Sequence, residues 1–273
     1  DSAIIFSDIL MVPFALGQEV KFLKNRGPLL SNFDLQIFLD NDKISFTHKL
    51  HPVYKAIEIT RKKLSKEKSL ISFVGAPWTL LIYMLGIKNS KNEIVYSEIK
   101  KKNFEINVIL DKLNEYLCIH IENQIDAGAD VVQVFDSWAG LLPIKDLPNY
   151  CYIPNLKIVE FCKRKKIPVI CFPKGLKQNY KEFNHIVKSN GLNLDSEIRP
   201  EWAKKNLRDV VLQGGLDPKT LLLSDEIIKE KASEYITVFK ETPYVFNLGH
   251  GLLPETDPDK VDRLIKFYKE YKQ

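Results

Sequence analysis

The chain alternates short apolar runs with longer segments in which apolar residues recur at helical spacing. The runs are rich in β-branched and aromatic residues, and several are apolar on both faces, as in a parallel sheet that is covered on both sides. Strands that alternate with helices in this way predict an α/β domain. Seven such runs are present, at residues 3–7, 70–74, 130–135, 167–172, 191–194, 209–213 and 244–248.

The segments between the runs have the spacing of amphipathic helices. Ser224 and Asp257 are suited to begin the last two helices as N-caps, and Gly128 is suited to end the long helix before it. Pro258 fits the first position of the final helix. The residues expected to face inward are Val53, Ala56, Ile57 and Leu64, then Ile106, Leu110, Leu113, Leu117 and Ile121, then Ile228, Ala232, Tyr235 and Phe239, and finally Val261, Leu264, Ile265 and Tyr268.

The alternation extends along the whole chain without a linker or a sequence repeat, which predicts one domain over residues 1–273. A closed (β/α)₈ TIM barrel needs eight strands, whereas seven runs are found. The first run begins within three residues of Asp1. The expectation is therefore a (β/α)₈ TIM barrel with the first strand missing from this chain. An open doubly wound sheet is the alternative, and alternation alone does not separate the two.

Composition narrows the classes of protein. Hydrophobic residues make up 45% of the chain and charged residues 27%, which is typical of soluble globular domains. The net charge of +5 comes mainly from lysines on predicted outer helix faces, which favours a solvated surface over a nucleic-acid patch. The sequence has no signal peptide and no apolar run of about 18 residues, so no membrane partner is expected. Its cysteines lack a CxxC pair, which predicts reduced thiols and a cytoplasmic location.

Candidate chemistry lies where the strands end, because the loops after the strands form the mouth of such a barrel. Asp8 is a carboxylate among apolar neighbours, and it either meets donors or a cation there or simply caps the next turn. Ser137 lacks a GxSxG motif, so a serine hydrolase is not indicated. His250 stands between two glycines and is expected to be exposed, and the glycines after the last two strands leave an anion or phosphate site open. No metal-binding spacing is present.

The strand ends, taken together and in order, resemble the uroporphyrinogen decarboxylase family. The resemblance extends from residue 3 to the last helix, and the order of the motifs makes it specific. The strings that carry it are IIFSDIL (4–10), GAPWTL (75–80) followed by Tyr83, FDSWAG (135–140), FPKG (172–175), LQGGLDP (212–218) and NLGHGLLPETDP (247–258).

The resemblance implies a barrel that pairs as a homodimer through its open face and uses neither a metal nor an organic cofactor. The implied reaction converts the four acetate arms of uroporphyrinogen III to methyl groups, which gives coproporphyrinogen III and CO₂ in haem and tetrapyrrole biosynthesis. Asp8 would accept the pyrrole N–H groups and stabilise the pyrrole cation. The other implied substrate-binding residues are Tyr83, Ser137 and His250 at the carboxylate arms or the reacting ring, and Phe73 and Phe135 as walls of the cleft.

The sequence also departs from the family pattern. The family's N-terminal stretch, whose arginines grip carboxylates, is absent, and a chain without it is expected to be inactive and poorly stable. Gly215 stands where the family usually has asparagine, and Asp195 and its neighbours differ from the usual Asp-Trp pair. Three alternatives stay open: a zinc-dependent methyltransferase of the same superfamily, a phosphate-binding barrel enzyme, and a non-catalytic binding protein.

Overall fold

A computed structural model describes residues 2–23, 27–87, 94 and 103–271. Its strands are β1 (Ser2–Ile4), β2 (Val20–Leu23), β3 (Gly27–Leu30), β4 (Ser69–Gly75), β5 (Val131–Asp136), β6 (Val169–Pro173), β7 (Gly191–Leu194), β8 (Val211–Gly214) and β9 (Tyr244–Val245). Its helices include α1 (Met11–Ala15), α2 (Leu35–Leu39), α3 (Lys43–Lys63), α4 (Pro77–Leu85), α5 (Asn103–Asp126), α6 (Ile153–Arg164), α7 (Tyr180–Val187), α8 (Pro200–Asn206), α9 (Asp225–Phe239) and α10 (Pro258–Tyr271).

The main sheet contains seven parallel strands in the order β1-β4-β5-β6-β7-β8-β9. This order follows the chain without a reversal, so the sheet lacks the switch point of a doubly wound fold. The sheet curls into a half-barrel with helices on its outside, which confirms the TIM-barrel type. Within the described residues β1 and β9 form its two edges and do not pair with each other.

The exposed fraction of the inward-facing side chains differs between the central strands and the two edge strands. Gln133 and Asn193, on central strands, are 5% and 3% exposed. Ile4 and Val245, on the two edge strands, are 50% and 45% exposed. The interior is therefore closed along the middle strands and open between β1 and β9, a position that the expected missing first strand fits.

Each of the seven predicted runs contains a strand, although several strands are shorter than predicted. β1 ends at Ile4 because the chain turns toward α1, and β9 ends at Val245 before an isolated bridge between Leu216 and Leu248. The antiparallel hairpin of β2 and β3 was not predicted. Each of its strands has four residues, which is too short for a distinct pattern, and β3 begins with Gly27 and Pro28, two residues that are unusual in strands.

The helical core largely follows the predicted faces. All five predicted residues of α5 are buried, as are all four of α9, and Gly128 follows α5 with φ +110°. On α3, Ile57 is buried and the other three predicted residues are half-buried. The prediction for Ile265 on α10 is wrong, because this residue is 46% exposed. One helical step separates it from buried Leu264, which turns it away from the core toward a surface cavity.

Candidate functional site

Asp8 lies in the turn that follows β1. Its Oδ1 accepts a hydrogen bond from the Leu10 N–H at 2.9 Å, and its carbonyl accepts one from the Met11 N–H at 3.0 Å. The carboxylate therefore caps the turn that starts α1, which is the second of the two roles expected from the sequence. The side chain is half-buried at the C-terminal side of the sheet, and its charge acts on Tyr83. Capping and a role at the mouth are thus compatible.

Tyr83 lies on α4 and is half-buried. Its ring centroid is 6.1 Å from that of Trp138, in the loop after β5. Burial raises the pKa of Tyr83, a hydrogen bond with Trp138 lowers it, and the negative charge of Asp8 raises it. The phenol is therefore neutral at neutral pH and has a proton to donate. The structure brings Asp8, Tyr83 and the loop of Ser137 into one region.

Ser137 is half-buried and follows Asp136, the last residue of β5. Asp136 is 1% exposed, and its side chain points outward to the helices. Its Oδ1 accepts from Thr79 Oγ1 at 2.7 Å, and its Oδ2 accepts from Asn155 Nδ2 at 3.0 Å. Thr79 Oγ1 in turn accepts from the Trp138 N–H at 3.2 Å. These contacts fix the loop that carries Ser137 against α4, the helix that carries Tyr83.

Asp136 was not singled out from the sequence. Burial raises its pKa to about 6, while hydrogen bonds from Thr79, Asn155 and Cys151 lower it. A carboxylate directly after an apolar run was a signal that could have drawn attention to it. Its hydrogen-bond partners, however, come from two other helices, and the sequence does not show that these residues contact Asp136.

Aromatic rings form a row on the inward side of the sheet. Phe73 and Phe135, both predicted, have ring centroids 5.4 Å apart. Phe6 lies 5.8 Å from Phe73, and Phe172 lies 6.1 Å from Phe135. Phe6 and Phe172 were quoted within motifs but given no role. The row provides an apolar wall below the loops of the mouth.

His250 follows β9 and is exposed, as predicted. It borders a cavity of about 350 Å³ whose walls include Phe246, Leu252 and Ile265. Partial burial and the positive charge of Lys174 lower the pKa of His250, and a hydrogen bond with the Gly251 backbone raises it. The imidazole is therefore neutral at neutral pH.

The structure does not bring all the candidates together. Within the described residues, no hydrogen bond, ion pair or ring contact joins His250 to Asp8 or Tyr83. The reason is the sheet order, because Asp8 and His250 follow the two opposite edge strands. Tyr83 borders its own cavity of about 440 Å³, between β3 and the end of α4.

A larger cavity, of about 670 Å³, lies elsewhere. It is lined by Leu207, Val210 and Pro243, near the N-terminal ends of β8 and β9, and by none of the candidate residues. In TIM barrels the functional groups gather at the C-terminal ends of the strands. We therefore assign the candidate site to the mouth rather than to this larger cavity.

The glycine-rich loops after β8 and β9 pack tightly against each other. The Gly249 N–H donates to the Leu216 carbonyl at 2.7 Å. A Cβ on Gly249 would lie 2.6 Å from the Ser196 nitrogen. This glycine serves close loop packing, and its N–H is already engaged, which weighs against the phosphate site.

The described residues bear on metal binding and on membrane crossing. They contain no group of three or more His, Cys, Asp or Glu side chains placed to hold a metal ion. None of their helices combines the length and apolar character that crossing a membrane requires.

The fold has relatives among solved structures. A methyltransferase from Methanosarcina mazei superposes with a TM-score of 0.80 at 19% identity, covering 100% of this chain and 81% of that one. A B12-independent methionine synthase from Shewanella sp. W3-18-1 superposes with a TM-score of 0.55 at 12% identity, covering 93% of this chain and 74% of that one. At these identities the likeness concerns the fold alone.

Sequence relatives are closer. Residues 1–271 match the family described as "Uroporphyrinogen decarboxylase (URO-D)". The uroporphyrinogen decarboxylase of Orientia tsutsugamushi (strain Ikeda) is 41% identical, over 99% of this chain and 80% of the relative. That of Rickettsia bellii (strain RML369-C) is 40% identical, over 99% of this chain and 81% of the relative. The chain therefore belongs to the uroporphyrinogen decarboxylase family.

Proposed function

We propose that this protein removes CO₂ from the four acetate arms of uroporphyrinogen III and gives coproporphyrinogen III in haem and tetrapyrrole biosynthesis. The family match over residues 1–271 carries the proposal. A single barrel domain over residues 1–273, which lacks the family's N-terminal stretch, carries the candidate residues, and the proposed reaction uses neither a metal nor an organic cofactor. The carboxylate of Asp8 next to Tyr83 at the C-terminal side of the sheet supports the placement of the site.

The proposed decarboxylation mainly requires that the protein stabilise a cationic pyrrole intermediate. A pyrrole ring is electron-rich and takes up a proton at a ring carbon, which makes it an acceptor for the electron pair of the adjacent acetate arm. The bond between the arm's methylene and its carboxylate then breaks and CO₂ leaves. The methylene gains a proton to become methyl, and the ring carbon releases the proton that it took up, so one proton is consumed in each round. A fixed carboxylate near the pyrrole nitrogens stabilises the positive charge of the intermediate, and such preorganised electrostatics lower barriers by several kcal/mol. Asp8 is the residue for this role.

The remaining candidates bind and orient the macrocycle. Tyr83, as a neutral phenol, donates a hydrogen bond to a carboxylate arm. Ser137 and His250 hydrogen-bond further arms at the exits of β5 and β9. Phe73 and Phe135 pack against the rings and keep water away from the reacting arm.

The test is anaerobic incubation of the full-length protein with uroporphyrinogen, followed by separation of the products. Asp8→Asn keeps the shape and removes the charge, so kcat should fall about 100-fold or more. Asp34→Asn is the matched control, because Asp34 also caps a short helix, accepting from the Ile37 N–H at 3.0 Å. Unchanged turnover in Asp8→Asn would refute the electrostatic mechanism. Absence of coproporphyrinogen with the wild type would refute the function.

Assembly and location complete the proposal. Phe6 and Leu252, on the loops of the mouth, are 82% and 52% exposed, and apolar groups of this kind favour an interface. We infer a homodimer in which the two mouths face each other, which sedimentation of the full-length protein tests. A cytoplasmic location accords with four cysteines that form no disulfide, and cell fractionation tests it.

A further inference from the structure

Lys174 is the first residue after β6, and its backbone is held on both sides. Its N–H donates to the carbonyls of Asp136, at 3.2 Å, and Phe172, at 3.1 Å, and its carbonyl accepts from the Gly140 N–H at 2.9 Å. A Cβ on Gly140 would lie 2.6 Å from the backbone of Gly175, so the two loops are in direct contact. The exits of β5 and β6 therefore fix the point from which the Lys174 side chain departs.

Two observations direct this side chain into the mouth. Phe172 packs on Phe135, on the inward side of the sheet. Lys174 lies in the turn after β6, but its N–H continues the ladder to β5 through the Asp136 carbonyl, and this continued alternation carries Lys174 to the side of Phe172. Independently, the positive charge of Lys174 contributes to the lowered pKa of His250, which follows β9. In the sheet order the exit of β6 lies between those of β5 and β9, which places Lys174 between Ser137 and His250.

The described carboxylates around Lys174 are engaged by other groups: Asp195 Oδ2, after β7, accepts from the Gly175 N–H at 2.7 Å and from the Tyr180 hydroxyl at 3.0 Å. Lys174 is half-buried, and none of the described carboxylates forms an ion pair with it. Lys157, in contrast, pairs with Asp111 at 2.6 Å. The carboxylate of Asp136, which is close in sequence register, faces the helices and already accepts from Thr79 and Asn155. A partly desolvated ammonium without a counter-ion favours an anionic ligand.

We propose that Lys174 binds a carboxylate arm of the substrate, between the arms that Ser137 and His250 hold. The inference rests on the proposed function, because that function supplies a macrocycle with several aliphatic carboxylates. Lysine suits this position because a point charge on a long stem follows an arm without demanding one planar geometry. FPKG, quoted from the sequence without a role for its lysine, thereby gains one.

The test compares Lys174→Gln with Lys177→Gln in the full-length protein. Lys177 is an exposed lysine of the same loop and is the matched control. KM for uroporphyrinogen is measured anaerobically, and the Kd of the stable oxidised macrocycle uroporphyrin is measured by tryptophan quenching. In Lys174→Gln both constants should rise about 10- to 100-fold, the range for one lost charged hydrogen bond, while kcat changes less than about twofold. Lys174→Arg should recover most of the affinity.

Salt provides a further readout. Added salt should weaken uroporphyrin binding more in the wild type than in Lys174→Gln, because one screened charge pair is gone. Wild-type KM and Kd in Lys174→Gln, or a loss confined to kcat, would overturn the proposal. If this variant does not fold, Lys174→Met preserves the packing of the stem and takes its place. If the wild type does not convert uroporphyrinogen, the proposed function fails, and the Kd comparison still decides the role of Lys174.

Discussion

His120 makes the stability of this protein depend on pH in a way that can be calculated. The residue lies on α5 and is 2% exposed. Its Nδ1 is 3.0 Å from the Tyr54 hydroxyl, and its Nε2 is 2.6 Å from Gln124 Nε2. Burial lowers the pKa of His120 from 6.5 to about 3. The folded protein therefore keeps a neutral imidazole at pH values where the unfolded chain takes up a proton.

The direction of the pH dependence follows from this difference in pKa between the folded and the unfolded protein. The lowered pKa means that the contribution of His120 is complete above pH 6.5 and is lost as the pH falls toward 3. The slope is about 1.4 kcal/mol per pH unit in that window, so the free energy of unfolding loses about 2 kcal/mol between pH 7 and pH 5. Asp136 acts in the opposite direction, because its raised pKa, about 6 against 3.8, adds stability as the pH falls. That gain is about 1 kcal/mol over the same interval and hides part of the loss.

A comparison of variants separates the two effects. Urea unfolding at pH 7 and pH 5 gives the free energy of unfolding for the wild type and for His120→Gln, which keeps polar groups for its neighbours. The advantage of the wild type over His120→Gln should shrink by about 2 kcal/mol between these pH values. His51→Gln, at an exposed position on α3, should follow the wild-type curve. An advantage that is equal at both pH values would refute the reasoning.

Two further predictions concern the loops of the mouth. Thr79→Val removes a buried partner of Asp136 and should lower the free energy of unfolding by about 1–3 kcal/mol in urea titrations, whereas Thr79→Ser keeps the hydroxyl and most of the stability. Full stability in the valine variant would contradict the network. Gly140→Ala places a methyl group 2.6 Å from the backbone of Gly175 and should cost about 1–3 kcal/mol by the same assay. Gly251→Ala, whose methyl group meets nothing within 4 Å, is its control, and equal stability of the two variants would contradict the close contact.

The sequence predicts strands well and their ends poorly, for a physical reason. A buried strand needs apolar residues on both faces, which makes runs such as residues 167–172 visible. A strand ends where hydrogen bonding to its neighbour stops, and that depends on another strand. The short hairpin of β2 and β3 escapes because its pairing leaves no periodic pattern. Ile265 was misplaced because helical spacing gives the width of an apolar stripe only approximately.

The residues of the candidate site also differ in how far the sequence reveals them. Asp8 has a local signal only for a turn cap, so its role at the mouth came from the resemblance to a family. Asp136 and Lys174 were not predicted because their meaning depends on partners from other elements: Thr79 on α4, Asn155 on α6, and His250 after β9. Contacts between residues of different elements depend on the register of the sheet, and the local sequence around each residue does not reveal that register.

The contact between Gly140 and Gly175 joins two neighbouring loops of the mouth, those after β5 and β6. Backbone hydrogen bonds and the contact of the two glycines join the loops after β5 and β6, which positions the backbones of Ser137 and Lys174 relative to each other. The loops after β1 and β9 follow the two edge strands, and within the described residues no backbone hydrogen bond joins them. An enzyme that processes four arms in succession must seat a ligand that loses one carboxylate in each round. The loops after β5 and β6 therefore present Ser137 and Lys174 to the ligand in the same arrangement in every round.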